Sequence, residues 1–330
     1  MTRVERFHPG TKVSNWASGS IASPLPTTYI DYSGYLALGG SGTSIDKFSF
    51  FDDSRSTLAV GLSNSRTEIG PSGCADSGVA GYQGGGRTSG GDTAGSTVVD
   101  KFAFADDSRT THTLSYGGIA TGGMANSGTA GYWAGGWAYV NGWDNKDDIS
   151  KLTFSSDTSS TLSAVLSVNR YNAAGFANSG TAGYFAGGAV VGGSKQSVVN
   201  KLTFSTDAVS TLGTGLSNVS NYGSGMANSG TAGYVALAHT GSTSAVVDKF
   251  AFSNDARTTL GTGLSSARYG VGGMADSGVA GYFAGGNNGS ANVTTVDKFA
   301  FSNDARSTLG TGLATGSQYT AGFANCEALI

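Results

Sequence analysis

The chain has 330 residues, of which 54 are glycine and only 12% are charged, with a formal net charge of −3. Ordinary globular chains have ~7% glycine and ~25% charged residues, but 16 Phe, 14 Tyr and 4 Trp exclude disorder, which goes with few aromatic residues and high net charge. Glycine does not fall at every third position, which excludes collagen, and no basic run is present to neutralise nucleic-acid phosphates.

Four short motifs recur along the chain about every 50 residues, a spacing typical of structural repeats. The Gly-Tyr pairs of one motif begin at residues 34, 81, 131, 183, 233 and 281, and the lysines of another stand at 47, 101, 151, 201, 249 and 298. In one repeat the four motifs are GMANSG (123–128), AGYWAGG (130–136), DISKLTF (148–154) and TLSAVL (161–166). We name them A, B, C and D in that order and expect each to form a strand.

The residue patterns favour antiparallel strands in each repeat. Alternation in motif C places Phe102 and Phe104 on one face of a strand. The segment Asn126-Ser127-Gly128 between A and B supplies residues that adopt positive φ at low cost. No segment shows a sustained 3.6-residue apolar period, so we expect almost no helix. Four antiparallel strands per repeat of this length are typical of a propeller blade. The sequence therefore predicts an all-β fold, a single β-propeller of four-stranded antiparallel blades.

Partial repeats at the two ends of the chain indicate how the ring closes. Val4-Glu5-Arg6-Phe7 matches motif C, and TAGFANCEALI (320–330) matches motif A. We predict one domain over 1–330, in which six full repeats span about 29–318 and the segments 1–28 and 319–330 jointly close the ring. Seven blades, with one blade split between the termini, is our prediction, and six blades is the alternative.

Six aspartates recur at one position in the turn between motifs C and D. They are Asp53, Asp107, Asp157, Asp207, Asp255 and Asp304. Six equivalent carboxylates do not make one active site. An aspartate side chain stabilises a turn by accepting a bond from the N–H group two residues on. We therefore expect a structural turn role for all six.

The cysteines, the histidines and the known catalytic motifs do not indicate a catalytic or metal-binding site. Cys74 stands in the position of Met124 and is expected in the core, and Cys326 replaces a turn serine. His8, His112 and His239 have no spacing of metal ligands. The chain has no nucleophile elbow, P-loop or zinc-protease motif. We predict no catalytic residue, no metal and no cofactor.

The loops between motifs B and C differ from repeat to repeat, and one of them is chemically rich. The B–C and D–A loops of a propeller share one face, so we expect function there. The loop at 136–148 holds three aromatic and three acidic side chains, Trp137, Tyr139, Trp143, Asp144, Asp147 and Asp148. Aromatic faces beside carboxylates suit sugar rings and protein interfaces, so we predict ligand or partner contact. Two other interpretations stay open: the aromatic residues pack inward, or the carboxylates hold Ca²⁺.

The repeat resembles the kelch repeat over nearly the whole chain. The shared features are a glycine pair after strand B, an aromatic strand C and an arginine after strand D, which appears as Arg66, Arg170 and Arg268. Leucine stands where kelch repeats have tryptophan. The turn SNDARTTL (253–260) is similar to the Asp box of sialidase-type propellers, with Arg257 in place of its glycine. Blocks such as GYFAGG are similar to repeats in tail-fibre and other virion proteins of bacteriophages.

This resemblance implies a non-enzymatic structural or adhesion protein of a phage particle, such as a tail fibre, decoration or receptor-binding component. Its partners would be other virion proteins and a host-surface glycan or protein, with homo-oligomerisation within the particle and no nucleic acid. The start MTRVERFHPG has no signal-peptide h-region, and no apolar stretch approaches the ~20 residues of a membrane span. We therefore expect synthesis in the host cytoplasm, location in the virion and no membrane insertion. The alternatives are a cellular kelch-type interaction module and a carbohydrate-active propeller enzyme.

Overall fold

The computed structural model describes residues 32–88, 95–139 and 143–326. Within these ranges the chain contains strands, turns and loops and no α-helix. Six four-stranded antiparallel sheets stand in a ring, so the fold is a six-bladed β-propeller. In the same ranges, no helix has the length and apolar character that a membrane span requires.

The 29 strands of the described residues follow one another in chain order. Those of the first two repeats are β1 (Ser33–Ala37), β2 (Gly40–Gly42), β3 (Ile45–Ser49), β4 (Arg55–Thr57), β5 (Arg66–Thr67), β6 (Gly73–Asp76), β7 (Ala80–Gly84), β8 (Arg87–Thr88), β9 (Val98–Ala103) and β10 (Arg109–Thr113). The next are β11 (Gly122–Asn126), β12 (Ala130–Ala134), β13 (Trp137–Tyr139), β14 (Trp143–Asn145), β15 (Ile149–Thr153), β16 (Thr158–Thr161), β17 (Ala174–Asn178), β18 (Ala182–Ala186), β19 (Val199–Thr203) and β20 (Ala208–Thr211). The last are β21 (Ser224–Asn228), β22 (Ala232–Ala236), β23 (Val247–Ala251), β24 (Arg257–Thr259), β25 (Gly272–Asp276), β26 (Ala280–Ala284), β27 (Val296–Ala300), β28 (Arg306–Thr308) and β29 (Ala321–Asn325).

Each blade has the strand order A-B-C-D from the axis outward. Blade 1 is β29-β1-β3-β4, blade 2 is β6-β7-β9-β10, blade 3 is β11-β12-β15-β16, blade 4 is β17-β18-β19-β20, blade 5 is β21-β22-β23-β24 and blade 6 is β25-β26-β27-β28. Strands of type B are buried at every residue, because a blade lies against each of their faces. Strands of type C alternate between buried and half-buried residues, as the apolar alternation of motif C predicts.

The interfaces between blades are built from the repeated motifs themselves. The tyrosine of each motif B stacks on the last phenylalanine of motif C in the next blade, with ring centroids 4.7 to 5.5 Å apart. The pairs are Tyr35–Phe104, Tyr82–Phe154, Tyr132–Phe204, Tyr184–Phe252, Tyr234–Phe301 and Tyr282–Phe50. Because the last pair joins blade 6 to blade 1, the same apolar interface runs round the whole ring. Stacked pairs of this kind contribute about 0.5–1.5 kcal/mol each beyond the burial of their area.

The structure corrects the predicted number of blades from seven to six. β29, from the C-terminal partial repeat, pairs along its whole length with β1, so that Ser33 faces Asn325 and Ala37 faces Ala321. It also lies between β25 and β6, which closes the ring of inner strands. The C-terminal motif A therefore completes blade 1 and does not begin a seventh. One blade is split between the two ends of the described chain, as expected, but Val4–Phe7 and the rest of 1–28 lie outside the described residues.

In the five repeats that have motif D, the outermost strand begins two or three residues before the motif and ends at its first threonine. Strand D of blade 5 is Arg257–Thr259, and most of the TLGTGL motif that follows it is loop. The reason is a different hydrogen-bond partner. The N–H of Leu264 donates to the carbonyl of Ala245 at 2.7 Å, in the segment before strand C, while the Leu264 side chain is buried. This leucine thereby anchors the segment against the blade without extending the sheet.

Candidate functional site

The two ends of the propeller differ in chemistry. At one end the A–B turns repeat nearly without change, and the backbone N–H of each turn serine donates to the hydroxyl of the next, as from Ser127 to Ser179 at 3.0 Å. Cys326 holds the sixth position of this ring: its N–H donates to Ser77 Oγ at 3.3 Å, and the N–H of Ser277 bonds to it in turn. Burial raises the pKa of the Cys326 thiol. This end is a structural ring, and variation between repeats lies at the other end.

The six predicted turn aspartates join neighbouring blades. All six have left-handed backbone, with φ between 52° and 58°, a conformation that Asp adopts more readily than most residues. Their carboxylates each accept a bond from the motif C lysine of the preceding blade, at 2.6 to 3.1 Å. The pairs are Lys47–Asp107, Lys101–Asp157, Lys151–Asp207, Lys201–Asp255, Lys249–Asp304 and Lys298–Asp53. Five of the motif B tyrosines donate to the same carboxylates, for example Tyr184 to Asp255 at 2.7 Å.

The expected bond to the N–H group two residues on comes from a different side chain. It is Asp52, not Asp53, that accepts from the N–H of Ser54, at 3.0 Å, and Asn254 accepts from Ala256 in the same way. Hydrogen bonds with Ser54 lower the pKa of the exposed Asp52. In four of the six turns, an acidic or amide residue therefore serves the turn's own backbone, and the aspartate after it serves the neighbouring blade.

The predicted loop at 136–148 forms a hairpin in which β13 pairs with β14. Trp137 lines a cavity, and the guanidinium of Arg87 lies over its ring, 6.0 Å from the ring centroid. Asp144 is 59% exposed and pairs with Lys146, whereas Asp147 and Asp148 are half-buried and use their backbone carbonyls to accept from Leu166 and Gly135. The side chains of Tyr139 and Trp143 lie outside what the structure describes. Of the described members of this predicted set, Trp137 alone lines a cavity.

That cavity, which we call the axial cup, lies at the variable end and has a volume of about 320 Å³. Its lining comes from segments that enter the inner strands and from B–C loops, namely Glu68, Ala120, Trp137, Asn145, Tyr171, Asn172, Val191, Gly192 and Tyr222. The volume is at the lower end of the range of small-molecule sites, ~300–1,000 Å³. Aromatic walls with a few convergent polar groups are the usual composition of such sites.

The backbone that places these side chains has an unusual conformation shared by all blades. Six residues after a buried leucine in each repeat, the chain adopts left-handed φ, at Glu68, Ala120, Asn172, Tyr222, Gly270 and Tyr319. Consecutive segments then bond to one another round the axis, with the N–H of Asn172 donating to the carbonyl of Ala120 at 2.7 Å. This geometry turns the side chains of Asn172 and Tyr222 into the mouth of the ring.

Beside the cup, an aromatic cluster fills the mouth of the channel. Tyr222 lies 5.3 Å from Tyr319 and 5.8 Å from Tyr269 between ring centroids, and the edge of His239 meets Tyr222 at 6.2 Å. Burial, followed by the neighbouring Tyr171 and Glu68, raises the pKa of Tyr222 to about 12. Burial also raises the pKa of Tyr319, so the phenols of Tyr222 and Tyr319 are neutral at pH 7 and act as hydrogen-bonding groups on apolar walls.

Two acceptors in the cup have no partner among the described residues. Asn172 is only 3% exposed, yet its Oδ1 accepts no bond, and Oε2 of the half-buried Glu68 is likewise unpartnered. Burial raises the pKa of Glu68 above its ordinary 4.5, and the positive charge of Arg87 opposes that rise. Buried acceptors without partners are costly, so a donor that reached them, from water or from a ligand, would be stabilised there.

Buried arginines hold the loops that carry the cup. The side chain of Arg268 is fully buried and donates to Asp297 at 2.8 Å, and Arg66 pairs in the same way with Asp100. Arg170, immediately before the cup residues Tyr171 and Asn172, meets the neutral Asn200 instead, at 2.8 Å. Burial lowers the pKa of Arg170 to about 10.

The sequence reasoning missed the cup residues other than Trp137. It correctly expected variation at the end shared by B–C and D–A loops, but it examined the B–C loops alone. The missed signal is the position six residues after each buried leucine, where the side chain varies between repeats from glycine to tyrosine. Glu68 holds this position in blade 2. Among residues 32–88, 95–139 and 143–326, no group of His, Cys, Asp and Glu is arranged to hold a metal ion.

Comparisons with known proteins agree with the fold and leave the site unassigned. No protein-family model matches the chain, and no curated protein matches it. The solved structure of a protein named YjhT is similar to this chain with a TM-score of 0.67 and 16% sequence identity, and the match covers 87% of this chain and 100% of YjhT. At that identity the likeness is one of fold: this chain has the β-propeller architecture of YjhT.

Proposed function

We propose that this protein is a non-enzymatic adhesion or structural component of a bacteriophage particle, and that its propeller binds a host-surface glycan in the axial cup. The virion assignment is supported by the resemblance of the repeats to those of tail-fibre proteins. The glycan assignment is supported by one observation, the cavity with aromatic walls and unpartnered acceptors at the end of the ring where the repeats differ.

The cup suits one sugar ring in size and chemistry. Trp137, Tyr171 and Tyr222 offer aromatic faces, on which the C–H face of a pyranose packs, since such faces are apolar and carry partial negative charge. Glu68 and Asn172 offer acceptors for hydroxyl groups. Other virion proteins would contact the remaining surface, and a cellular kelch-type interaction module is the alternative in which the cup binds a partner's side chain instead.

Glu68 also favours a carbohydrate-active enzyme as a second candidate. A carboxyl group whose pKa is raised by burial is what a general acid requires. Most glycosidases pair it with a second carboxylate, and Glu68 is the one carboxylate among the described residues that line the cup. Release of reducing ends from host polysaccharide, lost in Glu68→Gln, would replace the adhesion proposal with this one.

Replacing Trp137 by alanine is expected to weaken glycan binding at least about tenfold, because it removes one aromatic wall of the cup. The measurement is titration of the purified chain with the best ligand from a glycan array. Phe51→Ala is the matched control: Phe51 is 67% exposed on a C–D turn at the opposite end, so its binding should equal that of the unmodified chain. If Trp137→Ala bound the glycan as tightly as the unmodified chain, the glycan would have to bind outside the axial cup.

The virion assignment has its own test. Mass spectrometry of purified particles is expected to detect this chain in stoichiometric amount, and the free protein is expected to compete with particles for host cells. Absence from the particles would overturn this half of the proposal and leave glycan binding to be judged by titration.

A further inference from the structure

We infer that the axial cup binds an ammonium group, carried on an amino sugar with a free amine, which Glu68 and Asn172 accept while Tyr171 and Tyr222 enclose it. This inference rests on the proposed function and names the class of sugar. It goes beyond a general affinity for glycans because the unpartnered polar groups of the cup, on Glu68 and Asn172, are both hydrogen-bond acceptors.

The unsatisfied groups of the cup are acceptors. Oε2 of Glu68 and Oδ1 of Asn172 have no partner among the described residues, and Asn172 is almost fully buried. The amide of Asn145, which also lines the cup, already donates to the carbonyl of Ala189 at 3.3 Å. A ligand that supplies several N–H donors therefore matches the cup better than one that supplies acceptors. An ammonium group has three donors and no acceptor.

The walls of the cup favour a cation as well. The faces of tyrosine and tryptophan attract a cation through the quadrupole of the ring, and cages of such rings recognise quaternary ammonium groups. Tyr171 and Tyr222 line the cavity, and Tyr319 extends the wall from its contact with Tyr222. A carboxylate within a cage of aromatic rings combines charge pairing with this attraction.

Arg87 is the positive charge that acts on Glu68, and it leaves the carboxylate open. No ion pair within 4.0 Å joins Arg87 to Glu68 among the described residues, and the guanidinium lies over the Trp137 ring instead. Its field favours ionisation of Glu68, which is the state that binds a cation. The same field repels a bound cation, so Arg87 and Glu68 should affect the affinity in opposite directions.

The experiment compares glucosamine, N-acetylglucosamine and glucose by calorimetric or NMR titration against the full chain, with tetramethylammonium as a probe of the cage alone. We expect glucosamine to bind at least about tenfold more tightly than the two neutral sugars, as hydrogen bonds to charged groups warrant. Glu68→Gln should abolish that preference, and Arg87→Gln should increase it. Asp144→Asn is the matched control, since Asp144 is an exposed acid of the same loop region, and it should preserve the preference.

Tetramethylammonium makes the pH dependence specific, because it has no titrating group. Its affinity should fall as the pH is lowered through the raised pKa of Glu68 and stay flat in Glu68→Gln. The other titratable or charged groups near the cup are Arg87, the neutral Tyr171, Tyr222 and Tyr319, the ring neighbour Tyr269, and His239, whose pKa is lowered by burial and by the charge of Lys195. A fall in affinity that persists in Glu68→Gln would assign it to His239 and contradict the inference.

The outcomes separate this inference from the proposed function. Equal binding of glucosamine and N-acetylglucosamine, unchanged by Glu68→Gln, overturns the ammonium site and leaves glycan adhesion standing. Binding of tetramethylammonium without any sugar supports the ammonium site and overturns the glycan proposal. Failure of all four probes to bind overturns the inference, while a neutral glycan found on the array would still support adhesion.

Discussion

Replacing Arg268 by methionine is expected to lower the free energy of unfolding by about 3–5 kcal/mol. The side chains of Arg268 and Asp297 are both fully buried, and the guanidinium donates to the carboxylate at 2.8 Å and to the carbonyl of Phe283 at 3.3 Å. Methionine fills most of the space but removes the buried cation that faces Asp297, so the carboxylate keeps only a partly exposed arginine. Removal of one partner from a buried pair is costly for that reason, even where the intact pair adds little. Chemical denaturation at pH 7 measures the effect.

A second arginine on the same carboxylate provides the control. Arg306 lies 3.6 Å from the other oxygen of Asp297, but its side chain is 26% exposed. Solvent screens such a pair, so Arg306→Met should cost about 1 kcal/mol or less. Equal losses of unfolding free energy in Arg268→Met and Arg306→Met would show that burial of an ion pair does not determine its contribution to stability.

The stability that this pair provides should disappear in acid. Burial opposes ionisation of Asp297, but the N–H of Ser265 and the charge of Arg268 together lower its pKa below the ordinary 3.8. A lowered pKa in the folded state gives stability that is present above pH 3.8 and is lost as the pH falls through the folded value. The difference between the unmodified chain and Arg268→Met should therefore shrink below about pH 4.

In blade 4 a substitution is expected to create the buried ion pair that Arg268→Met removes from blade 6. Asn200 occupies the position of Asp297, so the buried Arg170 lacks an anion. Asn200→Asp is expected to raise the free energy of unfolding by about 1 kcal/mol or more, because the hydroxyls of Ser167 and Thr211, now beside the amide, are able to donate to a carboxylate. A decrease in stability would mean that desolvation of the new charge outweighs its pairing.

The periodic motifs predicted the fold because they form the blade interfaces. Tyr184, Lys201, Phe252 and Asp255 come from four different stretches of sequence, and the structure joins them in one contact between blades 4 and 5. Repetition of that set fixes strands A, B and C in every blade. The number of blades could not be read in the same way, because a terminal motif A fits equally at the start of a new blade or beside the unpaired β1.

The site was less predictable because its residues interrupt the repeat. Asn172 and Tyr222 stand at a position whose shared property is left-handed backbone, and the five residue types that occupy it conceal that property from a comparison of motifs. Trp137 was found because aromatic residues in a variable loop are conspicuous. The acidic residues around it face other directions, since Asp144 pairs with Lys146 in solvent, and sequence proximity alone did not indicate convergence.

Substituting Gly175 by alanine is expected to lower the free energy of unfolding by at least about 3 kcal/mol. Gly175 lies in β17, where six inner strands meet round the axis, and a Cβ there would overlap the carbonyl oxygen of Gly123 in the neighbouring blade. Its φ is outside the left-handed region, so no backbone strain accompanies the change. In a strand, alanine is otherwise better than glycine by about 0.5–1 kcal/mol, so a large loss would isolate the steric overlap.

The geometry of a closed ring makes this overlap difficult to relieve. Gly123, Gly175, Gly225, Gly273 and Gly322 follow one another, each facing the carbonyl of the one before. Displacing β17 outward therefore presses on the stacked aromatic pairs on both sides of blade 4.

Gly213→Ala is the matched control, because Gly213 is exposed, has no atom within 4 Å of a new Cβ and also lacks left-handed φ. Its stability should change by less than about 0.5 kcal/mol. If Gly175→Ala were as stable as Gly213→Ala in denaturant titrations, the inner strands would have to be wider apart than the glycine contacts require.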